Sequence, residues 1–157
     1  MLVCAPSRET QRSFIAIIAI MRVFCDPRPK KGPRAIFLAP EARLGVEFVQ
    51  QFSLLADPSA KILQISDERC VKLQDLECAD LLVITPEKLD LILKQNCEFF
   101  QTVRLLVVDE VEMMAEVRGV FLECLIVKAN EAKLRVVALS NRIPNYQDLA
   151  HFLHVSL

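Results

Sequence analysis

Leu105-Leu106-Val107-Val108-Asp109-Glu110-Val111-Glu112 decides how the rest of the chain reads. Four aliphatic residues in a row, with no polar alternation, predict a strand buried on both faces, as inside a parallel sheet. Two carboxylates stand where that strand ends. In open α/β sheets, ligands bind beyond the carboxyl ends of the strands. Acidic residues at that edge hold Mg²⁺ through water and orient the nucleophilic water in phosphoryl transfer. The same residues also suit an ordinary polar turn, so the surrounding chain has to decide.

Working outward, strands and helices alternate. Residues 1–5 read as a short strand, and residues 12–24 as a helix so apolar around its circumference that burial is expected. A proline-rich basic loop, residues 26–33, separates that helix from a strand at 34–39. An amphipathic helix follows at 41–55, with Phe48 and Phe52 one turn apart. Residues 61–66 read as a half-buried strand, 67–78 as a short helix and 81–84 as a strand. Thr85-Pro86-Glu87 is a strong helix start: a capping residue, proline at the first helical position and an acid in the first turn. After the central strand come a helix over 116–131 despite Gly119, a strand over 134–139 and a last helix over 146–153. This alternation predicts an α/β fold, a doubly wound, mainly parallel sheet flanked by helices.

Composition sets bounds. A chain of 157 residues, 53% of them hydrophobic, suits one domain with a sizeable core. A net charge of −1 argues against a strongly basic nucleic-acid clamp and leaves room for a local patch. Six scattered cysteines lack zinc-ligand spacing and read as reduced, mostly core residues of an intracellular protein. The longest apolar run, residues 14–21, is too short to cross a bilayer. Arg8 and Arg12 before it give it the look of a signal peptide, but no small-residue cleavage site follows. No membrane association is expected.

Four stretches in this order carry a family resemblance: Val3-Cys4-Ala5-Pro6, Thr85-Pro86-Glu87-Lys88-Leu89-Asp90, Val108-Asp109-Glu110-Val111, and Ala138-Leu139-Ser140 with Ile143-Pro144-Asn145-Tyr146 beyond it. Together they resemble the first RecA-like lobe, the ATP-binding domain of P-loop NTPase type, of a Ski2-like superfamily 2 helicase. The tail from Pro144 to Val155 and Arg118-Gly119-Val120-Phe121-Leu122-Glu123, similar to the family's R-G-P-V-L-E, resemble the N-terminal cassette of the large double-cassette helicases of spliceosomal and signal-cointegrator complexes. The resemblance implies ATP-dependent nucleic-acid unwinding, Mg-ATP as cofactor, RNA or DNA and a protein complex as partners, and a nuclear location. It covers residues 1–157 as a single lobe, without the family's upstream adenine-contacting segment or its second lobe.

The resemblance also implies roles. Asp109 would hold Mg²⁺ and Glu110 would position the attacking water, so these two are the catalytic candidates. Ser7, Gln11, Arg12 and Ser13 fall in the nucleotide-binding loop, and Ser13 is a second candidate Mg²⁺ ligand. Pro40, Arg43, Thr85, Pro86 and Lys88 would contact a nucleic-acid strand. Ser140 would couple the nucleotide site to strand movement.

The departures are physical. The family's A-P-T-G-x-G-K-T loop is here Ala5-Pro6-Ser7-Arg8-Glu9-Thr10-Gln11-Arg12-Ser13, with no glycine and no lysine. Glycines let backbone N–H groups close around a phosphate. Side chains crowd that space, and Glu9 adds negative charge beside a polyphosphate. Depending on register, Gln11 or Arg12 takes the lysine position, and a planar guanidinium is a poor substitute for a compact ammonium. Glu112 replaces the family's histidine, and a third carboxylate is expected to add repulsion and raise a neighbour's pKa. The coupling triplet S-A-T is Ser140-Asn141-Arg142, and the T-G-D turn is Ile65-Ser66-Asp67. The best-kept element is Thr85-Pro86-Glu87-Lys88, where a helix N-terminus presents N–H groups to a phosphate and Lys88 adds a cation. The expected protein is a degenerate, non-catalytic lobe with weak nucleic-acid or partner binding. An active helicase fragment and a protein-interaction module on the same fold are the alternatives.

Overall fold

The odd and even residues of each central strand face opposite ways and meet two separate cores. A computed structural model describes residues 1–4, 9–25, 32–65, 73–141 and 143–154. Six strands form one sheet: β1 (Leu2–Cys4), β2 (Ala35–Leu38), β3 (Ile62–Gln64), β4 (Leu81–Ile84), β5 (Leu105–Val108) and β6 (Arg135–Ser140). Every pairing is parallel, and the spatial order is β1-β6-β5-β2-β4-β3. In β2, β4 and β5 every residue is buried, as uninterrupted aliphatic runs require.

On one face, Phe37, Val83, Leu105, Val107 and Val137 pack against α1 (Glu9–Phe24) and α2 (Ala42–Ser53). Phe37 stacks on Phe48 with ring centroids 3.6 Å apart, and Phe52 sits behind Phe48. On the other face, Ile36, Leu38, Leu82, Leu106, Val108 and Val136 meet α3 (Leu73–Cys78), α4 (Pro86–Gln95) and α5 (Gly119–Glu131). Two single-turn 3₁₀ segments, Phe99–Thr102 and Val111–Ala115, and α6 (Tyr146–Phe152) complete that layer. Ion pairs pin the rims: Arg34 with Asp80 at 3.2 Å, and Asp90 with Lys94 at 2.6 Å and Lys128 at 3.2 Å.

Four expectations are corrected. Helix α1 is not buried all round, because Phe14, Ile18 and Met21 form an exposed stripe, with Ile18 at 65% exposure. A helix lying on one sheet buries one face only, whatever the composition of the other. Cys4, Cys25, Cys78, Cys97 and Cys124 are free thiols but exposed rather than core residues; Cys70 lies outside the described residues. The helix expected from 116 starts at Gly119, since 111–115 form a separate 3₁₀ turn first. Thr85 holds the N-cap position of α4, yet its side chain makes no capping hydrogen bond.

Candidate nucleotide and nucleic-acid site

Strand β5 delivers its two carboxylates to the carboxyl edge by a strained turn. The Asp109 amide still donates to the Leu38 carbonyl at 3.1 Å, extending the sheet by one residue. Glu110 then adopts φ 48°, ψ 53°, the left-handed region that non-glycine residues avoid. Its amide donates to Asp109 Oδ1 at 3.0 Å. Val111 and Met113, both buried, anchor the following turn and hold this geometry in place.

Into this edge, from the second turn of α1, comes Arg12. It is 4% exposed. Its Nη2 reaches Glu110 Oε1 at 3.4 Å, and its Nη1 lies 3.8 Å from Glu112 Oε1, within ion-pair range and beyond hydrogen-bonding range. Among the described residues, Arg12 Nε and Nη1 have no hydrogen-bond acceptor. Glu112 is held from its other side. Ser140 Oγ donates to its Oε2 at 2.7 Å, while the Asn141 amide and Nδ2 donate to Oε1 at 3.1 and 2.8 Å. One chain of contacts thus joins α1, the end of β5 and the end of β6.

The electrostatics follow. Burial pushes the Asp109 carboxyl from its usual 3.8 up to about 6; Arg12 and the Glu110 amide oppose this, and the carboxylates of Glu110 and Glu112 add to it. For Glu112, burial also pushes upward, but hydrogen bonds from Ser140, its own backbone and Asn141 outweigh it, and its pKa ends below the ordinary range. The expected repulsion from a third carboxylate is therefore a minor influence on Asp109. Glu112 itself is stabilised as an anion by a guanidinium and two polar neighbours. At the end of β1, burial and then the Glu112 charge raise the Cys4 thiol.

Of the residues expected at the nucleotide, the structure joins Arg12, Asp109 and Glu110 in this cluster, together with Ser140, the expected coupling residue. Ser13 is half-buried at the next position of α1. The backbone of Gln11 lies in α1, while Ser7 and the side chain of Gln11 lie outside the described residues, as does Arg142. Among the described residues, no group of three His, Cys, Asp or Glu side chains is arranged to hold a metal ion.

A second cluster sits at the adjoining edge, where β2 and β4 end. Pro40, Thr85 and Pro86 are buried. Arg43 is exposed and pairs with Glu47 at 3.7 Å. Arg43 and Thr85 line a hollow of about 440 Å³ together with Glu41, Glu87 and Arg118. Lys88, half-buried in the first turn of α4, does not line it. Arg118 ties the hollow together: its Nε donates to Glu87 Oε1 at 2.6 Å and its Nη2 to the Pro40 carbonyl at 3.1 Å. Burial pushes Glu87 upward, but hydrogen bonds from Arg118, its own backbone and Thr85 prevail and leave its pKa lowered. Sequence reading assigned no role here to Arg118. The sequence holds one usable signal, an arginine directly before a glycine at a helix start.

Comparison with known proteins agrees with this architecture. A DEAD/DEAH box helicase family profile matches residues 12–149. Activating signal cointegrator 1 complex subunit 3 of Danio rerio is 29% identical over 99% of this chain, which spans 11% of that protein. The U5 small nuclear ribonucleoprotein 200 kDa helicase of Drosophila melanogaster is likewise 29% identical over 99% of the chain, which spans 8% of it. The likeness to spliceosomal and cointegrator helicases is thus borne out. Among solved structures, helicase Lhr of Mycobacterium smegmatis superposes with a TM-score of 0.74 at 23% identity, covering 96% of this chain and 22% of that one. A DEAD box protein of Methanococcus jannaschii gives 0.74 at 21% identity, covering 96% of this chain and 41% of its own. Both share the fold. With its parallel sheet, its acidic strand end and a family match over most of its length, the chain belongs to the DEAD/DEAH box helicases.

Proposed function

We propose that this chain is a non-catalytic helicase lobe in which an internal cation has replaced the metal–nucleotide group. Helicases of this family use Mg-ATP. The residues present here do not fit it. The carboxylate that would position the attacking water, Glu110, and its neighbour Glu112 are already engaged by Arg12, at 3.4 Å and 3.8 Å. The sequence ahead of α1 has no glycine to let backbone amides cradle a polyphosphate. The single observation that carries the reading is the buried Arg12 pointing into the acidic strand end.

What the lobe keeps is a weak strand-contacting edge. The N-terminus of α4 offers backbone N–H groups, and Arg43 and Lys88 offer cations. The likeness to small nuclear ribonucleoprotein and cointegrator helicases supports RNA or DNA as the partner and a nuclear protein complex as the setting. Calorimetric titration with ATP and Mg²⁺ tests the reading. The expected outcome is no saturable binding at millimolar nucleotide and no ATPase above background, with or without nucleic acid. Turnover that disappears in Glu110→Gln overturns it.

A further inference from the structure

Beside the acidic strand end, the 3₁₀ turn 111–115, the face of α5 and the start of α6 enclose a groove of about 590 Å³. Its floor is apolar, built from side chains that include Met114, Leu149 and Phe152. Its rim is acidic: Glu112, Glu123 and Asp148. No described residue that lines it is basic. Glu112 is committed to Arg12, Ser140 and Asn141, whereas Glu123 and Asp148 are exposed carboxylates with no ion pair among the described residues. Further apolar side chains are exposed around the start of α5. Val117 is 97% exposed and Val120, one turn before Glu123 on α5, is 58% exposed.

We infer that this groove is a docking site for a basic amphipathic segment of a partner protein. An apolar floor takes the hydrophobic side chains of an amphipathic helix. An acidic rim selects lysine and arginine beside them and rejects acidic sequences. Nucleic acid is excluded as the occupant by the sign of the charge. A second copy of this chain is the poorer match, since its exposed stripe of Phe14, Ile18 and Met21 brings, among the described residues, one adjoining cation, Arg22, to a rim of three acids. The size of the groove is that of a site for a few anchoring side chains. The inference does not depend on whether nucleotide binds at Arg12.

Two synthetic helical peptides of about 14 residues test it, sharing one leucine face and carrying either lysine or glutamate on the flanks. Fluorescence anisotropy of the labelled peptides is read against the 157-residue chain. The lysine peptide is expected to bind, to weaken with added salt, and to lose about tenfold in affinity for Glu123→Lys/Asp148→Lys. Both positions are exposed, so this variant is expected to keep the native circular dichroism spectrum. The glutamate peptide is expected to bind the charge-reversed variant better than the original protein. Equal binding of both peptides, no binding of the lysine peptide, or an affinity unchanged by the charge reversal overturns the inference. Sedimentation showing that the chain self-associates, and that Glu123→Lys/Asp148→Lys abolishes the association, assigns the groove to a second copy and overturns it too.

Discussion

At Asp109 the cost of burying a carboxylate is only partly offset. Its pKa is raised from 3.8 to about 6, so between about pH 4 and 6 the folded state binds more protons than the unfolded chain. A group of this sign makes the protein more stable as pH falls through that window, and its full cost is present above pH 6. Asp109→Asn removes the cost. The variant is expected to exceed the parent by on the order of 2–3 kcal/mol at pH 7.5, with the gap shrinking to about 1 kcal/mol near pH 4.5. Urea unfolding at the two pH values measures this, and a gap that does not change with pH would refute it. Arg12 has the opposite role, because it offsets neighbouring charge. Arg12→Ala leaves Glu110 and Glu112 without their cation and is expected to cost about 1–3 kcal/mol in denaturant unfolding. Combined with Glu112→Gln, the loss should be clearly less than additive, since the two groups belong to one contact chain. Strict additivity would mean that the 3.8 Å pair contributes nothing.

Among the elements, the strands were legible because uninterrupted aliphatic runs such as 105–108 and 81–84 leave one interpretation in a parallel sheet. The start of α4 was legible from Thr85-Pro86-Glu87, although the threonine hydroxyl serves Glu87 rather than the helix end. Helix α1 misled because hydrophobicity on every side carries no information about which side meets the sheet. The link between Arg12 and Glu112 was not read, since periodicity says nothing about residues 100 positions apart. A signal was nonetheless present. An acid, Glu112, stands where the family has a histidine, and a cation, Arg12, stands near the family's lysine position, so the two charges could be paired. Gly119 gives the clearest test at this scale. A Cβ there would lie 2.2 Å from the Met114 carbonyl oxygen, so the first turn of α5 touches the preceding 3₁₀ backbone. Backbone cannot yield as a flexible side chain does. Gly119→Ala is expected to destabilise by about 1–3 kcal/mol, although alanine is the better helix former. An unchanged or raised denaturation midpoint would show that the turn slides away freely.

Across the whole molecule, core and edge are separable. The two apolar layers rest on residues outside the motif departures, Ile65 excepted, while the described departures at Arg12, Glu112 and Asn141 meet at the carboxyl edge of the sheet. On the proposed reading the fold persists without its chemistry, and what it still binds is set by a few edge charges. Net charge is −1, and the hollow beside α4 holds Glu41 and Glu87 against Arg43 and Arg118. Arg118 is spent on Glu87 and the Pro40 carbonyl, and Arg43 is shared with Glu47. Among the described residues, a nucleic-acid strand at this edge would meet two or three cations. Affinity for single-stranded RNA or DNA is then expected at the 10⁻⁴ to 10⁻⁶ M scale of non-specific binding, with a log–log salt slope of about −2 to −3. Lys88→Ala should weaken all sequences alike and flatten the slope by about one unit, because a single phosphate contact is lost. Glu87→Gln should act the other way. It weakens the hold on Arg118, since a neutral Oε1 replaces its 2.6 Å charged partner, and removes a negative charge from the strand path, so affinity rises and the slope steepens. A salt titration of the three proteins on one oligonucleotide reads both effects. Tight binding that ignores salt, Lys88 and Glu87 would locate the contact elsewhere on the molecule.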